Sequence, residues 1–153
     1  MMKPTLISKP AFTVAGINWH GKMADAGQIP QLWDIFPSRA NELRQRVNPL
    51  AFYGVMGNSN EQTTEFDYMA GQQVENGDNL PTGMSRWNLP AQTYAVFATT
   101  LPKLQATFAE ITQWLPTSGY RRAPGPEFEL YDETFDPNDP EPAMFVYVPV
   151  EKC

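Results

Sequence analysis

The sequence answers itself at an interval of 80 residues: Lys9-Pro10-Ala11-Phe12-Thr13-Val14-Ala15 is matched by Leu89-Pro90-Ala91-Gln92-Thr93-Tyr94-Ala95. An internal repeat constrains a fold before its details are known, because each copy must form the same unit and cover the other's apolar face. After each matched segment come a loop or turn, one amphipathic stretch, and two β-rich stretches joined by a polar hairpin. By their letters, Phe52-Tyr53 falls opposite Phe128-Glu129, Phe66-Asp67-Tyr68 opposite Phe145-Val146-Tyr147, and Val74-Glu75 opposite Val150-Glu151. The expected fold is α+β. Two strand-helix-strand-strand repeats pair about a pseudo-twofold axis, giving an antiparallel sheet, two main helices and a central cleft. Junctions between repeated units favour ligand sites. On this alignment Tyr53 and Glu129 hold equivalent places.

Local patterns supply the elements. Residues 10–19 carry the β-branched and aromatic content of a first strand, and His20 to Gly27 reads as a loop. Ile29, Leu32, Phe36, Ala40, Leu43 and Val47 recur at helical spacing, with Trp33 at the edge of the stripe and Pro37 inside it. Asn48-Pro49 is expected to end that helix. Leu101, Leu104, Phe108, Ile111 and Leu115 mark a second helix, flanked by Trp114, with Pro102 and Pro116 at its two ends. Trp87 and Trp114 suit core or rim positions. The turn-rich Asn76-Gly77-Asp78-Asn79 is the best internal boundary. The expected organisation is a single domain over 1–153, with repeat one at about 9–75, a joint at about 76–83 and repeat two at about 84–151. Fifteen prolines and ten glycines fit many short elements joined by turns.

Several function classes are disfavoured. A net charge of -6 argues against a bare DNA-binding or anionic-membrane surface, both of which need clustered Lys and Arg, and it permits cationic ligands or a basic partner. No apolar run approaches a membrane span or a signal peptide, so a soluble, cytoplasmic chain is expected. Cys153 is the one cysteine and His20 the one histidine, which excludes internal disulfides and cysteine metal clusters. His20 is expected at the surface. The acidic segment Asp132, Glu133, Asp136, Asp139 and Glu141 lacks the glycine and closing glutamate of a calcium loop and reads as a solvated hairpin. Neither a metal nor a cofactor is expected.

One strand carries the candidate chemistry. In Gly125-Pro126-Glu127-Phe128-Glu129-Leu130-Tyr131, alternation puts Phe128 and Leu130 on one face and Glu127, Glu129 and Tyr131 on the other. A carboxylate buried there needs a cation or hydrogen bonds, and its burial raises its pKa toward acid–base use. Glu127 lies nearer the turn and should be wetter. Binding and hydrolysis both remain open at this point.

Phe52-Tyr53-Gly54-Val55, Phe66-Asp67-Tyr68-Met69-Ala70-Gly71, Leu89-Pro90-Ala91 leading to Tyr94-Ala95-Val96-Phe97, and Phe128-Glu129-Leu130-Tyr131 together resemble the GyrI-like small-molecule-binding family. That family comprises the effector-binding domains of multidrug-sensing bacterial regulators and the DNA gyrase inhibitory proteins. The resemblance covers nearly the whole chain. It implies an aromatic cleft whose central glutamate, Glu129, binds lipophilic and often cationic compounds for sensing or sequestration. Its aromatic walls would be Trp33, Tyr53, Tyr68 and Tyr147. Some stand-alone members are similar in fold yet hydrolyse strained, cyclopropane-bearing toxins with a glutamate and an aromatic residue, in which case Glu129 would be catalytic. A protein-interaction role such as gyrase inhibition is the further alternative. The sequence shows no helix-turn-helix segment, so a stand-alone member is expected. It would not bind nucleic acid directly, and a transcriptional role would need a partner.

Overall fold

The computed structural model describes residues 3–153, and among them nine strands and two α-helices. In chain order they are β1 (Thr5–Lys9), β2 (Phe12–Lys22), α1 (Pro30–Arg39), β3 (Phe52–Gly57), β4 (Glu65–Val74), β5 (Ser85–Leu89), β6 (Gln92–Thr100), α2 (Leu104–Ser118), β7 (Tyr120–Arg122), β8 (Glu127–Tyr131) and β9 (Ala143–Lys152). Eight strands form one antiparallel sheet in the order β1-β6-β9-β8-β3-β4-β2-β5, and β7 adds to β9. The tandem strand-helix-strand-strand architecture is therefore present. No helix of the described residues is long and apolar enough to cross a membrane.

The repeat extends to the ladders. Thr5 pairs with Val96, and its counterpart Ser85 pairs with Gly16, so the interval read from the sequence is also a structural register. Each repeat lends its first strand to the other: β1 pairs with β6, while β5 pairs with β2. The chain changes partners at Pro10 and Pro90. A proline has no N–H to offer a ladder, so both sit where pairing must break.

The sheet is strongly curved. In flat geometry β2 and β8, separated by two strands, would lie about 14 Å apart. Yet the Phe12 and Phe128 rings approach to 5.6 Å. Curvature closes an inner core in which Phe128 stacks on Tyr147 at 4.4 Å and meets Tyr53 and Tyr94 at 5.5 and 5.2 Å. Both helices pack on the outer face. α1 covers Ala15, Phe66, Ala70 and Val74 with Leu32 and Phe36. α2 covers Phe97, Met144, Val146 and Val148, chiefly with Ile111.

Several boundaries differ from expectation. α1 ends at Arg39 instead of continuing to Val47, which is half exposed. Leu43 still reaches the core, but from a segment that has left the helix. That segment is captured by β4: Val47 N–H donates to Gln73 O at 3.0 Å and Glu75 N–H to Gln45 O at 3.0 Å. The buried Gln72 amide also donates to the carbonyls of Pro49 and Ala51. Tertiary hydrogen bonds thus overrode an apolar spacing that local pattern reads as helix. In the second repeat, Leu101 lies in a tight turn before α2, Pro116 lies inside the last turns, and Gly119 (φ 83°) closes them in the left-handed region. β2 runs on to Lys22, so His20 is an exposed strand residue paired with Asp67 rather than part of a loop; its Nδ1 lies 2.8 Å from Asp67 Oδ1.

Candidate functional site

The ladders decide what lies at the centre. Val14 pairs with Gln73 and its counterpart Tyr94 with Pro149, which makes Gly71 the counterpart of Tyr147 and Tyr68 the counterpart of Met144. Tyr53 pairs with Gly71 and Phe128 with Tyr147, so Phe128 is the counterpart of Tyr53. Glu129 then corresponds to Gly54, and those two residues pair directly with each other. They flank the pseudo-twofold axis. The letter-based equivalence of Tyr53 with Glu129 is off by one position.

That step changes which face each residue occupies. Val146, Glu129, Gly54, Ala70 and Ile17 form one row across the outer face, between the two helices. Tyr53 and Tyr147 point to the opposite side and belong to the inner core. They do not line the cleft, contrary to expectation. Trp33, Tyr68 and Glu129 do, and Tyr131 joins them. As anticipated, Glu127 shares the Glu129 face but is wetter; it is engaged by Arg122 at the rim. Trp87 packs against the inner core and Trp114 against the α2 core.

Glu129 is only 6% exposed. Its Oε1 accepts hydrogen bonds from the hydroxyls of Tyr68 and Tyr131, each at 2.9 Å. The Trp33 indole N–H donates to the Tyr68 oxygen at 3.1 Å, which polarises that hydroxyl toward the carboxylate. Among the described residues, Oε2 has no hydrogen-bond partner and Glu129 has no salt bridge. Oε2 is also absent from the fully enclosed unpartnered atoms, so it keeps an opening to the cleft. Gly54 makes the arrangement sterically feasible. A Cβ there would stand 2.2 Å from the Tyr68 hydroxyl and 2.7 Å from Glu129 Oε1.

Electrostatics follow from this burial. Desolvation pushes the Glu129 carboxyl above its ordinary range, and the two phenol donors only partly oppose the shift. Burial, with the neighbouring Glu129 carboxylate, holds Tyr68 and Tyr131 well above the usual phenol value, so both remain donors. The sign for stability is fixed by linkage. A carboxyl whose pKa rises on folding holds its proton more tightly in the folded chain. Stability is therefore greatest below the unfolded value, about 4.3, and falls as pH rises through the folded one. Urea titrations across that window should show the decline in the ligand-free protein, and Glu129→Gln should flatten it.

The cleft encloses about 1780 Å³. Pockets for a single drug-sized molecule span roughly 300–1,000 Å³. One wall comes from α1 and the turn before it, with Ile29 and Trp33; the other comes from α2 and the 132–142 hairpin, with Leu104, Phe108 and Phe135. Phe52, Met56 and Phe66 join Glu129 on the floor. Ring contacts of 5.4 Å from Trp33 to Tyr131 and 5.1 Å from Tyr131 to Phe135 run from one wall to the other. A second hollow of about 320 Å³, bordered by Phe12, Gln73 and Leu89, contains no buried ionisable group. Phe52, Phe66, Phe108 and Tyr131 were not anticipated as wall residues. Tyr131 had a local signal, two positions along the strand from Glu129. The others needed the register.

The GyrI-like small molecule binding domain profile matches residues 2–151. The transcriptional regulator BrlR of Pseudomonas aeruginosa is 35% identical over 153 residues, covering 97% of this chain; the chain spans about half of that regulator's length, 56%. Among solved structures, SAV2435 bound to tetraphenylphosphonium superposes with a TM-score of 0.76 at 20% identity, covering 98% of this chain and 94% of that one. A putative bacterial transcription regulation protein from Staphylococcus aureus MU50 also gives 0.76, at 18% identity and 99% coverage of both chains. These last two likenesses concern the fold. Profile, relative and architecture agree: the chain belongs to the GyrI-like small molecule binding domain family.

Proposed function

We propose that the cleft binds hydrophobic organic cations, with Glu129 as the counter-charge and Trp33, Tyr68 and Tyr131 as the aromatic surround. One observation carries this reading: a deeply buried carboxylate at the floor of an apolar cleft has two neutral donors and no cation of its own. Such a group is costly to keep ionised. A bound cation relieves that cost, and aromatic faces add about 0.5–2 kcal/mol per contact depending on desolvation. The tetraphenylphosphonium carried by a protein of the same fold is an apolar cation of this kind. Likeness to a transcriptional regulator supports a sensing role, with sequestration as its simplest form.

The direct test is calorimetric titration with methyltriphenylphosphonium and with neutral triphenylphosphine oxide. The cation should bind at least about tenfold more tightly, the equivalent of 1.4 kcal/mol. Equal affinities would remove the electrostatic part of the reading.

Two substitution sets separate the faces of the sheet. Trp33→Ala should weaken the cation by about 3- to 30-fold, from the loss of one aromatic face and of the indole N–H on Tyr68. Tyr53→Phe and Tyr147→Phe should leave affinity within about twofold, because neither ring reaches the cleft. Tyr53→Phe removes only a 3.3 Å bond to Gln73, worth about 1 kcal/mol of stability. Denaturant titration alongside calorimetry distinguishes the two effects.

A further inference from the structure

We propose that the cleft is built for ligands carrying two separated positive charges, one held at Glu129 and the second at a rim station formed by Asp34 and Glu61. This rests on the cation-binding reading above and specifies its ligand class. The cleft lining carries five carboxylates, Asp34, Glu61, Glu127, Glu129 and Asp132, against the single guanidinium of Arg122. Arg122 is taken by Glu127, and Asp132 already accepts the N–H and hydroxyl of Thr134 at 2.9 and 2.6 Å. Among the described residues, Asp34 and Glu61 meet no cationic side chain and accept no side-chain hydrogen bond. A monocation at Glu129 leaves both uncompensated.

Their placement gives the second charge a defined location. Asp34 follows Trp33 on α1, and Glu61 lies in the hairpin joining β3 and β4. That hairpin is tied to the turn leading into α1 by Met23 N–H donating to Thr64 O at 2.9 Å, so both carboxylates stand on the α1 side of the mouth. Glu129 is on the floor, nine-tenths buried, with Oε2 unpartnered and open to the same space. Floor and rim are separated by apolar wall. The volume, well above that of one aromatic cation, accommodates a linker between two charged groups. Like-signed charge along a low-dielectric cleft also focuses the field toward its mouth, which favours multivalent cations further.

A matched pair of probes tests this: a decane linker with triphenylphosphonium at both ends, and the same linker with triphenylphosphonium at one end and neutral triphenylmethyl at the other. Size and apolar area are then equal. The bis-cation should bind the unmodified protein at least about tenfold more tightly at low salt, and the gap should shrink as salt is raised. In Asp34→Asn/Glu61→Gln the gap should close to about twofold, the statistical factor, while the monocation keeps its affinity within about threefold. Glu129→Gln should weaken both probes. Equal affinities in the unmodified protein, or a gap that survives rim neutralisation, would overturn the rim station while leaving monocation binding intact. Failure of both probes to bind, or indifference of both to Glu129→Gln, would instead overturn the cation-binding reading beneath it.

Discussion

Glu129→Gln should cost about 2–4 kcal/mol of affinity for an organic monocation, roughly 30- to 1,000-fold, while leaving a neutral ligand of the same shape within about threefold. The substitution is nearly isosteric. The glutamine carbonyl can still accept the Tyr68 and Tyr131 hydroxyls, so the aromatic surround should stay in place. What disappears is the charge. In the free protein that same charge is a burden, because it is desolvated and no cation partners it. Chemical denaturation near neutral pH should therefore find Glu129→Gln at least as stable as the parent. Loss of binding joined to unchanged or increased stability marks a residue held for a ligand. A residue held for the fold would move both quantities down.

The second large effect is expected at Gly54. In a strand interior, glycine to alanine ordinarily stabilises by roughly 0.5–1 kcal/mol through a smaller loss of backbone freedom. Here the sign should reverse. The added Cβ would stand 2.2 Å from the Tyr68 hydroxyl and 2.7 Å from Glu129 Oε1, and Tyr68 is 5% exposed with little room to withdraw. Overpacking of this kind costs about 1–3 kcal/mol. The ring or the carboxylate must shift, and the Trp33–Tyr68–Glu129 chain of hydrogen bonds breaks with it. Gly54→Ala should thus lose stability and at least about tenfold in cation affinity, read by urea titration and calorimetry. A stabilised, fully binding variant would show that the close packing at the axis is not what positions the carboxylate.

The pairing of Gly54 with Glu129 also explains where the sequence was informative and where it misled. Alternation along β8 is local, so Phe128 and Leu130 against Glu127, Glu129 and Tyr131 could be read directly. The duplication was legible because Pro10-Ala11 and Pro90-Ala91 keep both letters and spacing. The central strands keep neither. Two identical large side chains cannot fill the single space beside a twofold axis, so one copy carries Glu129 and the other yields room with Gly54. Aligning by resemblance therefore skipped a position, set Tyr53 against Glu129, and sent Tyr53 and Tyr147 to the wrong face. The exchange of β1 and β5 between repeats and the early end of α1 depend on contacts distant in sequence, to which periodicity is blind. Trp33 and Tyr68 were anticipated at the cleft. Their hydrogen-bonded relay onto Glu129 required the ladders.

The central claim is that a cation sits against the Glu129 carboxylate in the cleft between the two helices. The most direct measurement is a crystal structure of the protein with tetraphenylphosphonium. The phosphonium should lie among Trp33, Tyr68 and Tyr131, with the open oxygen of Glu129 turned toward it. Density for the cation in the hollow beside Phe12 and Leu89, or on the surface with the central cleft filled only by water, would contradict the account.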